Sequence, residues 1–99
     1  MTMLGDDWRK GTCVARCLYE MATWHYDYKE KVRAIVKKIK PGTEHIQAQG
    51  FDKEKGEWRY LTMLRDGVVD YGTEEFPGYE ITKTLTLAEL YKERLDAET

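Results

Sequence analysis

The spacing of the apolar residues changes near Glu44, and this change constrains the fold more than any other feature of the chain. Before it, apolar side chains recur every three or four residues, as they do along one face of an α-helix. After it, apolar and polar residues alternate, as in a β-strand with one buried face. The helical spacing returns near the C terminus. The sequence therefore predicts an α+β fold.

Two helices are predicted in the N-terminal part of the chain. The first begins at Thr12, whose hydroxyl can cap a free amide. Its apolar stripe is Cys13, Val14, Cys17, Leu18, Met21, Trp24 and His25. The second covers residues 28 to 40, where Asp27 and Glu30 have the spacing of a capping box. Residues 1 to 10 show no period and predict an irregular arm.

Four antiparallel strands and a closing helix are predicted in the rest of the chain. The strands are residues 44 to 52, 57 to 65, 68 to 71 and 79 to 84. Short turns join the first three, and Asp66-Gly67 is a favoured hairpin turn, so a meander is the simplest sheet. Thr86 and Glu89 form a capping box that starts the last helix. We expect one domain over residues 1 to 99, in the order ααββββα, with helices on one face of the sheet.

The composition excludes several classes of protein. Uninterrupted apolar runs reach only two or three residues, too short for a membrane span or a signal-peptide core. We therefore expect a cytoplasmic protein without membrane contact. The two cysteines lie four residues apart, which is unsuitable for a disulfide between them. No nucleotide or phosphate motif is present, and we expect no cofactor.

One alternative is a thiol enzyme. Cys13 lies in the first turn of the predicted helix, where the helix dipole favours a thiolate. Gly11-Thr12-Cys13, followed by His45 and then by Trp58-Arg59-Tyr60-Leu61, resembles a shortened core of the transglutaminase-like or papain-like enzymes over about half the chain. The resemblance implies that Cys13 is the nucleophile and His45 the base. Thr62 stands where those families carry a residue that orients the histidine. The competing interpretation is that both cysteines pack in the core.

Zinc and nucleic acid are two further candidate ligands. Zinc would need Cys13, Cys17, His25 and His45 together, but His25 lies roughly 12 Å along the helix from the nearer cysteine at 1.5 Å per residue, so we expect no metal site. Nucleic acid would use the predicted basic helix, residues 28 to 40. Its cations are Lys29, Lys31, Arg33, Lys37, Lys38 and Lys40, and the aromatic residues available for stacking are Phe51, Trp58, Tyr60 and Tyr71. The competing interpretation is that the cations form a solvated helix face and that the aromatic residues pack within the sheet.

The favoured hypothesis is a non-enzymatic binding domain that forms a homo-oligomer, such as a dimer, or binds a protein partner. The predicted strand over residues 57 to 65 carries large apolar groups on both sides. Residues 29 to 40 have a net charge of +5 and residues 73 to 99 a net charge of −4. The predicted contact residues are Trp58, Tyr60, Leu61, Met63, Lys37 and Lys38. Alternatively, the arm and the loop over residues 73 to 78 cover the second side of the sheet.

Overall fold

The computed structural model describes residues 8 to 98. After a 3₁₀ turn at Trp8–Lys10, the elements are α1 (Thr12–Tyr28), β1 (Val32–Lys40), β2 (Thr43–Asp52), β3 (Glu57–Met63), β4 (Val69–Tyr71), β5 (Ile81–Leu85) and α2 (Leu87–Ala97). The five strands form one antiparallel sheet in the order β4-β3-β2-β1-β5. The α+β class is confirmed, whereas the order ααββββα is wrong in two respects. Residues 1 to 7 of the predicted arm lie outside the described residues.

The predicted second helix, residues 28 to 40, is wrong, because most of this segment is the strand β1. Helix α1 continues through Asp27 and ends where Lys29 adopts a left-handed conformation at φ 56° and ψ 32°. The Lys29 amide donates to the His25 carbonyl at 2.8 Å and closes the last turn. Asp27 therefore lies inside a helix and does not cap one.

The helical pattern of β1 arises because this strand is buried on both faces. It pairs with β2 on one side and with β5 on the other. Ala34 and Val36 face the core beneath the helices, while Ile35, only 2% exposed, points to the opposite face. A strand buried on both faces has a nearly continuous apolar run, which periodicity alone does not separate from a buried helix.

The last strand also departs from the predicted meander. Strands β1 to β4 follow one another across the sheet, but β5 returns to pair with β1 at the far edge. Leu85 lies opposite Ala34 in this pairing, and Thr84 lies opposite Ile35. The return crosses the sheet through residues 72 to 80, and this crossing brings the loop over residues 73 to 78 onto the sheet surface.

Both helices pack on one face of the sheet, as predicted. The core between α1 and the sheet includes Met21, Ile46 and Leu61, which are almost wholly buried. Helix α2 begins with the predicted capping box, and Leu90 packs into the same core. Helix α1 begins at Thr12 as predicted, although its N-cap is Gly11 and no side-chain cap is formed. None of the helices within residues 8 to 98 combines the length and hydrophobicity needed to cross a bilayer.

Candidate functional site

The face of the sheet away from α1 carries most of the polar chemistry, and we call it the open face. Successive side chains of a strand point to opposite faces, so the residues that alternate with the core positions define it. The open face consists of Arg33, Ile35, Lys37, His45, Gln47, Gln49, Phe51, Trp58, Tyr60 and Thr62. Its two ends differ in how they are covered.

One end of the open face lies under the loop over residues 73 to 78. The Lys37 ammonium, only 4% exposed, pairs with the Glu74 carboxylate and donates to the Phe76 carbonyl at 3.2 Å. The Tyr60 hydroxyl donates to the same Glu74 carboxylate at 3.0 Å. A buried cation needs such a partner because its desolvation is otherwise costly. The two charged segments of the chain therefore meet within one molecule at this point.

His45 and Gln47 hold the same loop through a second set of contacts. The His45 Nε2 atom lies 2.8 Å from a Glu75 carboxylate oxygen, and the Phe76 ring lies 4.8 Å from the imidazole. The Gln47 amide donates to the Thr73 carbonyl and accepts from the Glu75 amide, both at 2.9 Å. This loop and the end of the sheet thus form one continuous hydrogen-bonded network.

The other end of the open face is a cluster of cations stacked on aromatic rings. The Arg33 guanidinium lies 4.1 Å from the centre of the Trp58 ring, and the Lys31 ammonium lies 4.4 Å from the centre of the Phe51 ring. The two rings meet edge to face with centres 5.4 Å apart. Gln49 accepts a hydrogen bond from the Arg33 Nε atom at 2.7 Å and fixes the guanidinium over Trp58. We call these four side chains, Lys31, Arg33, Phe51 and Trp58, the cation–aromatic cluster.

The electrostatics of the open face follow from these contacts. Burial, followed by the hydrogen bond to Glu74, raises the pKa of Tyr60 to about 12, so this hydroxyl stays a donor. The hydrogen bonds from Lys37 and Tyr60 hold the pKa of Glu74 below its ordinary value. Burial lowers the pKa of Arg33 from its ordinary value, although guanidinium stays charged in proteins.

The predicted contact residues are distributed over three environments. Trp58 and Tyr60 lie half-buried on the open face, and Lys37 lies there beneath the loop. Leu61 points to the other face and belongs to the core, with 1% of its surface exposed. Met63 is exposed at the end of β3, and Lys38 is exposed on β1 opposite Glu44.

The proposed thiol pair is divided between the two faces of the sheet. Cys13 and Cys17 are thiols buried in the core that includes Ile46, and the Cys17 thiol approaches the Ile46 carbonyl at 3.6 Å. Burial, and then the charge of Glu20, raises the pKa of Cys17 above its ordinary range. The His45 imidazole, next to Ile46 in the strand, points to the open face and contacts Glu75. Within residues 8 to 98, no three His, Cys, Asp or Glu side chains are grouped to hold a metal ion.

Two acidic residues were missed by reasoning from the sequence. Glu75, and not Thr62, lies beside His45, and the folded loop brings its carboxylate there. Glu20 is 3% exposed and lines a cavity of about 170 Å³ with Arg16, Gln47 and Glu75. Burial raises the pKa of Glu20 to about 7. The position of Glu20 beside Met21, on the apolar side of α1, is the sequence signal that indicates its burial.

The chain was compared with known proteins in three ways. No protein-family model matches it significantly. The curated proteins and the solved structures likewise give no significant match.

Proposed function

We propose that this chain is a non-enzymatic binding domain that associates with a second copy of itself through the open face of its sheet. The observation that carries the proposal is the polarity of this face. The cation–aromatic cluster lies at one end, and the carboxylates of Glu74 and Glu75 lie at the other, each with about two-fifths of its side chain exposed.

The spacing of the two ends suits a two-fold contact. Arg33 and Lys37 lie on the same face of β1, four residues apart, which is roughly 13 Å at 3.3 Å per residue. A two-fold axis that lies in the contact plane, parallel to the sheet and perpendicular to β1 near Ile35, would bring Arg33 of one copy opposite Glu75 of the other, and the same contact would occur twice. Charge complementarity of this kind fixes register and rejects like-charged arrangements.

The cluster also offers the apolar area that a stable contact requires. Trp58 and Phe51 are half-buried in one copy, and aromatic and arginine side chains are the commonest energetic anchors of protein interfaces. Arg33 is already held over Trp58 by Gln49, so its ordering on association costs little side-chain entropy.

A charge-exchange experiment tests the proposed contact. Sedimentation velocity over roughly 10 µM to 1 mM should show a dimer of the wild-type chain. Arg33→Glu and Glu75→Lys should each weaken it at least about tenfold, because each places like charges together twice. Mixing the two variants should restore a dimer, because both contacts then pair opposite charges. Lys10→Glu makes the same charge change as Arg33→Glu at an exposed position outside the open face, and should leave the dimer unchanged.

Two results would contradict the proposal. A wild-type chain that stays monomeric over the whole concentration range would show that the chain does not self-associate. A dimer that neither variant weakens would place the contact elsewhere, and the apolar groove between α1 and α2, lined by Leu18, Tyr19 and Tyr91, would be the surface to examine next. Circular dichroism of each variant would separate loss of contact from loss of fold.

A second candidate, a thiol enzyme, is favoured by one specific contact. Glu75 lies 2.8 Å from His45, so the chain has a carboxylate that can hold and polarise an imidazole base. Cys13 lies in the first turn of α1, as that mechanism requires. The arrangement of the side chains opposes it, because Cys13 packs in the core and His45 points to the open face.

The pH dependence of the rate at which the two thiols are alkylated separates the binding domain from the thiol enzyme. If the binding domain is the correct proposal, neither thiol should react until the chain unfolds, because both are buried. Rapid labelling of Cys13 alone, located by mass mapping, well below the pH at which a free cysteine reacts, would favour the enzyme. His45→Ala should then slow the labelling of Cys13.

A further inference from the structure

A recess of about 220 Å³ lies where α1 ends, beside the turn between β2 and β3 and beside β4. Its aromatic walls are Trp24, Tyr28 and Tyr71, and its rim carries the carboxylates of Glu30, Asp52, Glu54 and Asp70. We call it the aromatic recess. It lies apart from Arg33 and Glu75, so its role is independent of the contact proposed above.

The rings of the aromatic recess are arranged around the Trp24 indole. A Cβ atom at Gly50 would lie 2.6 Å from the indole, so the glycine allows the ring to lie directly on the backbone of β2. Tyr28 and Tyr71 flank the indole with ring centres 4.3 Å and 4.9 Å away, tilted by 42° and 46°. Tilted rings around one centre form a concave aromatic surface, the form that binds cations through ring faces.

The charge around the aromatic recess also favours a cation. Among the residues that line it, four carboxylates face one cation, Lys53, which lies 3.9 Å from Glu30. Arg59 neutralises Asp52 at 3.2 Å from outside the lining. Its guanidinium lies 4.3 Å from the centre of the Tyr71 ring, so a cation already stacks on one of these aromatic walls. Glu54 and Asp70 remain exposed on the rim.

An unpartnered donor supplies an independent observation. Trp24 is 5% exposed, and its indole N–H has no hydrogen-bond partner within residues 8 to 98. A buried donor without a partner is costly, and in native proteins it usually has an explanation such as a water or a ligand. This donor belongs to Trp24, which is one of the residues that line the aromatic recess.

We propose that the aromatic recess binds an alkylammonium group. The ring faces attract the cation, and the rim carboxylates raise its local concentration. A free quaternary amine and a methylated lysine side chain in a peptide share this chemistry.

The test is a titration followed by tryptophan fluorescence and by NMR shifts of the indole N–H. Choline and a short peptide containing trimethyllysine are the cationic probes, and 3,3-dimethylbutan-1-ol is the neutral molecule of the same shape as choline. We expect saturable binding of the cations, at least about fivefold tighter than that of the neutral analogue, because the attraction depends on charge. Choline binding as tightly as the peptide would indicate a free amine. A peptide that binds about tenfold tighter would indicate a protein side chain.

Matched variants locate the site. Tyr28→Ala removes a wall of the aromatic recess that is half-exposed, and it should weaken cation binding at least about fivefold. Tyr26→Ala removes a more exposed tyrosine from the same helix, outside the aromatic recess, and should change nothing. Asp70→Asn should weaken binding of the cations and leave binding of the neutral analogue unchanged. Three results would overturn the proposal. They are binding of the neutral analogue as tight as that of the cations, no saturation by roughly 50 mM choline or peptide, and undiminished cation binding by Tyr28→Ala.

Discussion

Replacing Glu20 by glutamine should stabilise the protein at neutral and alkaline pH but not in acid. Burial raises the pKa of this carboxyl from its ordinary 4.5 to about 7, while the nearby Arg16 partly opposes the shift. In the unfolded chain the carboxyl ionises near its ordinary pKa, so between the two values the native state holds the extra proton. The free energy of unfolding therefore falls as pH rises from about 4.5 to 7, and stays at the lower level above that. Glutamine cannot ionise and removes this fall.

The size of the effect follows from the shift. Each pKa unit corresponds to about 1.4 kcal/mol, so a shift of this size sets an upper limit of about 3 kcal/mol. Solvent in the adjoining cavity screens the charge and reduces that figure. Glu20 accepts a backbone hydrogen bond from Met63, and the glutamine carbonyl can keep it. We therefore expect the free energy of unfolding of Glu20→Gln, relative to that of the wild type, to be about 1 to 2 kcal/mol higher at pH 8 than at pH 5.

Urea denaturation followed by circular dichroism at pH 5, 6, 7 and 8 would measure this difference. Glu54→Gln is the matched control, because Glu54 is exposed in the turn between β2 and β3. Its difference from the wild type should stay constant across the series. An effect of Glu20→Gln that is the same at every pH would show that burial does not raise the pKa of Glu20. A variant that loses stability relative to the wild type as pH rises would show that Glu20 acts mainly as an ion-pair partner of Arg16.

Three further substitutions test the packing by chemical denaturation. Gly50→Ala should destabilise the fold by about 1 to 3 kcal/mol, because its methyl group would overlap the Trp24 indole at 2.6 Å. Unchanged stability would show that the indole can move away at no cost. Thr86→Ala removes the hydroxyl that accepts from the Glu89 amide at 3.1 Å and should cost about 1 kcal/mol. Leu61→Ala should cost about 2 to 5 kcal/mol, as for a fully buried leucine, and a cost below about 1 kcal/mol would mark the site as surface.

Local signals in the sequence located the elements whose contacts are local. The apolar stripe that begins at Cys13 is the buried side of α1, and the Thr86 and Glu89 pair caps α2 as expected. The predicted turn at Asp66-Gly67 does join β3 to β4, with Gly67 at φ 85°, but its loop has three residues and not two, because the Leu64 amide donates to the Val68 carbonyl. In each case the residues that specify the structure lie within a few positions of it, so the pattern is readable without knowing the tertiary fold.

The features that were missed depend on contacts between distant segments. Strand β1 is buried on both faces because the helices cover Ala34 and Val36 on one side, while the crossing loop covers Lys37 on the other. The partner of His45 is Glu75, 30 positions away in the sequence. No spacing rule identifies such a partner before the route of the loop across the sheet is known.

The contrast between Lys37 and Arg33 shows what the loop does to the open face. Both are cations on the same face of β1, so the sequence treats them as equivalent. The loop buries Lys37 and pairs it with Glu74, which leaves little of its charge for a partner. Arg33 lies beyond the loop, where its guanidinium group contacts two uncharged side chains, the Gln49 amide and the Trp58 ring. The positive charge left for recognition on this face is therefore concentrated at the cation–aromatic cluster, which is why the interface proposed above is centred there.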